Sequence, residues 1–245
     1  MRLALFTVPI VALKDADPSG HLVGLGSGCL VRSGGRNVLI GVRHVFEGSA
    51  ASYAIHIRND IGLGSELYRF DPTIVERLGN MPPSPSGVSL DFFVEALPDD
   101  VRPKEHTSNA SGVLNGAQDR LVFAFTQIAA PNKRDFYGFC GLTRPVSAPD
   151  YVETERMIEE GLRFEREDGA RLVFKLSHEH PGHDPYEGCS GAPIVSQDEE
   201  LVSLLIGGRV SSNEVFGLHL GQYKSAIVAE SLSYEPNNPS STAKS

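Results

Sequence analysis

Residues 185–196 read PYEGCSGAPIVS, with Ser190 between Cys189 and Gly191, Gly188 two residues before it and Pro193 three after. Such a stretch is either a tight turn between strands or a turn built to present one hydroxyl. A serine hydroxyl is a poor nucleophile at neutral pH. It becomes a good one when a neutral imidazole takes its proton and a carboxylate holds that imidazole in the right tautomer. It also needs backbone N–H groups aimed at the developing oxyanion. Two residues elsewhere have the right chemistry. His44 ends the apolar run NVLIGVRH, after the glycine-rich GLGSGCLVRSGG, and can either reach across a crevice or cap a strand at the surface. Asp91 opens the apolar run DFFVEAL, where an acid is costly to desolvate unless paired, although it also suits a turn.

The elements that must position these groups are short β-like runs. ALFTVPIVAL, LVGLGSGCLVR, RNVLIGVRHV, SYAIHIRN and SLDFFVEAL are mostly rich in Val, Ile and Phe and bounded by turn residues, as strands are, with residues 3–13 as the first. MPPSPSG, residues 81–87, reads as a stiff exposed loop, and the polar segment from Pro98 to about Asn109 as a linker. LVFAFTQIA, FYGFCGL, ARLVFKLS, APIVS, LVSLLIGG and VFGLHL form a second β-rich half. For YVETERMIEEGLRFERED, periodicity leaves a short helix and exposed strands both open. GQYKSAIVAESL reads as an amphipathic helix, and the tail from 233 to 245 as disordered. Two sets of short strands predict an all-β chain of two antiparallel barrels, about 1–100 and 110–220, with a C-terminal helix at about 221–232. The crevice between such lobes is where ligands bind.

Composition excludes several classes. The chain of 245 residues carries a net charge of −9, with no basic run longer than Lys133-Arg134, which argues against a nucleic-acid surface. No apolar stretch approaches the roughly 20 residues of a membrane helix, and the N-terminal apolar run lacks a convincing cleavage site for a signal peptide. Three cysteines, Cys29, Cys140 and Cys189, make no disulfide framework and lean towards a reducing compartment.

Taken in order, GLGSGCLV, IGVRHV, LDFFV and GCSGAPIV resemble the motifs of the chymotrypsin-like, or trypsin-like, serine proteases, over roughly residues 3 to 232. The resemblance implies Ser190 as nucleophile, His44 as general base and acid, and Asp91 as the orienting carboxylate. It also implies an oxyanion hole from the N–H groups of Gly188 and Ser190, a protein or peptide substrate, and no cofactor or metal. Cys189 replaces the aspartate that switches on extracellular zymogens, and Val45 replaces the disulfide cysteine beside the histidine. Both departures fit a cytoplasmic enzyme that is constitutively assembled or gated by an activating partner. Through the stand-alone intracellular members of this family in bacteria, the resemblance further implies limited cleavage of one companion protein, with a role in defence systems among the expectations. Arg43 stands where the family has alanine, its head expected in solvent.

Asp184, six residues before Ser190, stands where trypsin-like members keep the acid that selects Lys or Arg, although DPYEG also reads as a turn. His219, in VFGLHL, is a second candidate for the pocket base, against the plainer reading of a packed strand histidine. Leu205 occupies the position where relatives specific for glutamate and glutamine carry a pocket histidine, which disfavours that specificity here. Three rivals stand beside this assignment: a catalytically silent, protease-shaped binding module whose cleft recognises a partner without cutting it; Cys189 as the nucleophile; and SHEHPGHD, with His178, His180, His183 and Asp184, as a zinc-binding run rather than a solvated loop.

Overall fold

The computed structural model describes residues 2–14, 22–47, 50, 52–60, 64–75, 91–108, 114–147 and 152–233. The expected loop at 81–87 and the tail from 234 onward lie outside the described residues. The first lobe contains β1 (Val8–Leu13), β2 (Leu22–Ser33), β3 (Arg36–Gly41), β4 (Ser52–Asp60), β5 (Gly64–Phe70), β6 (Thr73–Ile74) and β7 (Phe93–Ala96). They curl into one sheet in the order β5-β4-β1-β2-β3-β7-β6. The two-residue period of a strand decides where each side chain goes. Leu30 of β2 and Leu39 of β3 face Val8, Ile10 and Phe93 inside this lobe. Their neighbours Cys29, Val31, Val38 and Ile40 point the other way, into a core shared with the second lobe.

Three expectations from the sequence are corrected here. Residues 3–6 form α1 (Leu3–Phe6), a single helical turn, and the first strand starts at Val8. The supposed linker contains a strand, β8 (Lys104–Ser108), paired with β9 (Leu114–Asp119), and its buried Glu105 is ion-paired with Arg120 and Arg156. Polar composition suggested a linker because this hairpin carries few apolar side chains. Finally, LVFAFTQIA supplies β10 (Val122–Ala124), which runs parallel to β2 in the first sheet instead of opening the second lobe. Phe123 of β10 is fully buried and stacks on Phe6 at 4.4 Å. Phe123→Ala should cost about 3–5 kcal/mol. Thermal melts should then show a fall in Tm on the order of 10 °C.

The second lobe is a closed barrel of β11 (Tyr137–Ser147), β12 (Val152–Asp168), β13 (Arg171–Lys175), β14 (Pro193–Ser196), β15 (Leu201–Arg209) and β16 (Glu214–His219). Its order is β11-β12-β13-β16-β15-β14, closed by pairing of Tyr137 with Ser196. The charged run that left helix and strand open is β12, hydrogen-bonded to a neighbour on each side. Tyr137, Phe139, Leu162, Phe174 and Ile194 fill the interior.

After β16 a 3-10 turn, Leu220–Tyr223, leads into α2 (Lys224–Ser233). Tyr223 and Ile227 reach back into the core between the lobes. Glu230 on α2 accepts a hydrogen bond from the Ala96 N–H at 3.3 Å. Burial, reinforced by Glu230 and Asp71, raises the neighbouring Glu95 carboxyl from its ordinary 4.5 to about 7. The folded chain therefore holds this proton longer than the unfolded chain, so stability falls as pH rises from about 4.5 to about 7. Glu95→Gln should flatten that part of the profile, read as a smaller difference in Tm between about pH 5 and about pH 8.

Candidate active site

Strand register brings His44 to Asp91. β3 and β7 are antiparallel with Gly41 opposite Phe93, so the chain two residues beyond Gly41 lies opposite the chain two residues before Phe93. There Arg43–Phe46 wind into a 3-10 turn carrying His44. Phe46 anchors the turn edge-on to Phe93 at 4.6 Å and to Tyr53 at 4.5 Å, and the Tyr53 hydroxyl donates to its carbonyl at 2.9 Å. A side chain at Gly26 would overlap Val45, so glycine in GLGSG lets β2 approach the histidine turn. Asp91 is fixed from behind by buried Phe92, whose ring packs against Tyr223 at 4.4 Å.

The carboxylate holds His44 at two points. Asp91 Oδ1 accepts the His44 backbone N–H at 2.9 Å, and Oδ2 lies 2.7 Å from ring Nδ1. Burial on its own would raise the Asp91 carboxyl, but the hydrogen bonds and charge of His44, with Arg43 behind, outweigh it and hold the carboxyl below its usual range. Asp91 is thus the acceptor at neutral pH. In the neutral imidazole the proton facing this carboxylate sits on Nδ1, which leaves the Nε2 lone pair free. Arg43 Nη2 is 2.6 Å from Glu47, and its side chain is about one-third exposed, at 32%.

The serine turn is fastened to both lobes. The Ser27 N–H on β2 donates to the Ser190 carbonyl at 2.8 Å, and the Ser27 hydroxyl donates to the Gly188 carbonyl at 3.0 Å. On the other side, the Gly191 N–H donates to the Leu205 carbonyl on β15 at 2.7 Å. Gly188 and Gly191 have φ of 93° and 86°, a conformation that L side chains resist. A Cβ at Gly191 would also strike the Ser27 carbonyl. Ser190 and the His44 turn therefore abut neighbouring residues of β2, Ser27 and Gly26. Among the described residues, neither the Gly188 nor the Ser190 N–H donates to a protein acceptor, and the Ser190 hydroxyl makes no hydrogen bond to His44.

The remaining candidates are placed as follows. Cys189 is fully buried, and burial pushes its thiol up to about 12, so it is protonated at neutral pH and cannot act as a thiolate nucleophile. Asp184 is exposed at the start of a 3-10 turn, Asp184–Tyr186, rather than buried as a pocket base. His219 pairs with Ser203 in the β15–β16 ladder, and its Nε2 is 3.9 Å from Glu167. Leu205 is buried among Cys189, Ala192 and Ile194. Of the histidine-rich run, His178 Nε2 is 2.8 Å from Glu159 Oε2, whereas His180 Nδ1 accepts the Gly182 N–H at 3.1 Å. Among the described residues, no group of three or more His, Cys, Asp or Glu converges as a metal site.

No protein-family model matches the sequence, and no curated protein matches it. Solved structures do. A human heparin binding protein aligns with a TM-score of 0.58 and 11% identity over 97% of this chain and 97% of its own. A serine endoprotease from Yersinia pestis aligns with a TM-score of 0.54 and 13% identity over 95% of this chain. The match spans 65% of that longer protein. No described helix is long and apolar enough to cross a membrane. With one closed six-stranded barrel, a curled half-barrel sheet and a C-terminal helix, the chain has the two-barrel fold of the trypsin-like serine proteases.

Proposed function

We propose that the chain is a serine endopeptidase with Ser190 as nucleophile, His44 as general base and acid, and Asp91 as the orienting carboxylate. The observation that carries this is the two-point hold of Asp91 on His44 beside a turn whose Gly188 and Ser190 amides have no acceptor among the described residues. Ser190 Oγ attacks the peptide carbonyl as its proton passes to His44 Nε2, and the two amides receive the oxyanion. His44 then gives the proton to the leaving amine, and the C–N bond breaks to leave an acyl-serine. Water, deprotonated by His44, attacks that ester and restores Ser190. Asp91 stays ionised and stabilises the imidazolium.

The substrate is a protein or peptide, cut at limited sites in one companion protein. The buried free thiols of Cys29, Cys140 and Cys189 are in keeping with a cytoplasmic setting. Gating by an activating partner, and a place in bacterial defence, rest on the family resemblance.

One observation favours a second reading, a protease-shaped binding module: the Ser190 hydroxyl is not hydrogen-bonded to His44 in the free chain. The fold serves both roles, since one structural relative is described as an endoprotease and another as a binding protein. Loose contacts of this kind tighten in substrate complexes. A proteome-derived peptide library incubated with the wild type and with Ser190→Ala separates the two. Cleavage by the wild type alone supports the peptidase, whereas cleavage by neither, with tight capture of one partner by both, establishes the binding module.

A further inference from the structure

The serine turn lies beside an open sheet edge. β14 pairs with β15 only from Leu201 to Leu204, and the Ser190 turn joins β15 at Leu205. Beyond that point Gly207, Gly208 and Arg209 pair with β16 alone. Their other edge has no described partner, and a Cβ at Gly207 would meet nothing within 4 Å. An extended peptide can add to this edge as a further strand, which would carry it past Ser190.

His180 sits where that edge meets the segment leading to Ser190. Its ring is 5.0 Å from that of Tyr186, whose hydroxyl donates to buried Glu159 at 2.7 Å. Across from it, His180 Nε2 would stand 2.7 Å from a Cβ at Gly208, so only glycine on the edge leaves room for the ring. Asn213 fixes the backbone here, its carbonyl accepting the Leu176 N–H at 3.0 Å and its side chain accepting the His180 N–H at 3.1 Å.

The ring is only 4% exposed. Because Nδ1 accepts the Gly182 N–H at 3.1 Å, the neutral ring carries its proton on Nε2. Burial, followed by the charge of His183, lowers the His180 pKa and favours that neutral form. Nε2 is nevertheless buried, with no hydrogen-bond partner among the described residues. An unsatisfied buried donor is costly, and an incoming acceptor recovers that cost.

We infer that His180 is a specificity-determining residue, whose Nε2–H donates to the side-chain oxygen of a glutamine preceding the scissile bond. The choice follows from the chemistry around the ring. A donor cannot pair with the donor groups of lysine or arginine, and Asp184 is exposed rather than waiting for them. Buried Glu159, within the electrostatic reach of the ring, disfavours a second carboxylate and so selects glutamine over glutamate. The donor lies behind Gly208, three residues along β15 from the Leu205 that the serine turn joins, and at 4% exposure its residue is reached only by a long side chain. Leu205, the apolar residue where related enzymes keep a histidine, therefore does not exclude this specificity, because the donor comes from the segment before Ser190.

The assignment rests on the peptidase reading, and its test does not require turnover. Peptides with identical flanks ending in glutamine, glutamate, leucine or arginine are titrated into the Ser190→Ala protein. The glutamine peptide should bind at least about tenfold tighter than the others, the size expected for satisfying one buried donor. His180→Leu in that background should remove the preference and leave the leucine peptide unaffected. Tighter binding of any other peptide, no discrimination, or a glutamine preference that survives His180→Leu overturns the inference. The panel on the Ser190→Ala parent keeps the test decisive if the double variant does not fold. Glutamine-selective binding without wild-type turnover contradicts the peptidase alone, and turnover without glutamine preference contradicts this inference alone.

Discussion

If the chain is the proposed peptidase, Ser190→Ala should lose turnover by a factor on the order of 10⁶, the scale seen when a hydroxyl nucleophile is removed from a triad that acts as a unit. The substitution deletes one oxygen from a half-buried position and leaves the turn intact. The ties to Ser27 and Leu205 all run through backbone atoms at residues 190 to 192, or through the Gly188 carbonyl. The melting temperature should therefore stay within a few degrees of the wild type. His44→Ala in the same background adds little further loss, because the residual rate comes from binding and from the Gly188 and Ser190 amides. Steady-state cleavage of one peptide by the two single variants and the double variant measures both statements.

On the same proposal, Asp91→Asn should lower kcat by about 10⁴. Asp91 accepts twice, from the His44 backbone N–H and from ring Nδ1, using both carboxylate oxygens. An asparagine has one acceptor oxygen, so its NH₂ must face one of these donors. If the oxygen keeps the backbone N–H, the amide NH₂ faces Nδ1 and forces the ring proton onto Nε2, where it blocks general-base action. The fold is retained, since Phe92 and Phe93 still anchor the strand beside it. A fall in kcat with KM nearly unchanged distinguishes this outcome from loss of substrate binding. Asp91 also contributes stability that is complete above the ordinary carboxylate range and lost as pH falls through its lowered folded value.

Much of this was legible in the sequence because each chemical group sits in a local pattern with a physical cause. Glycines flank Ser190 because the turn needs positive φ there, at 93° and 86°. Asp91 precedes an apolar pair, Phe92-Phe93, which anchors it. The failures also have causes. β12 alternates charge without a clear period because long stretches of one face meet solvent, so helix and strand looked alike. The hairpin at Lys104–Asp119 hid in polar composition. Phe123 looked like the start of the second lobe because order along the chain does not fix order in a sheet; β10 returns to β2. His180 was grouped with His178 and His183 as a loop or a metal-like run. Its burial depends on Gly208 and Asn213, more than 25 residues away, at separations such as the 33 between His180 and Asn213. Local sequence gives no sign of that except the Pro181-Gly182 turn that follows it.

The most direct measurement is intact-mass analysis and peptide mapping after incubation with a fluorophosphonate. The account predicts a single adduct on Ser190, absent in Ser190→Ala and formed far more slowly in His44→Ala. An unmodified wild-type protein, or an adduct that persists in Ser190→Ala, contradicts it.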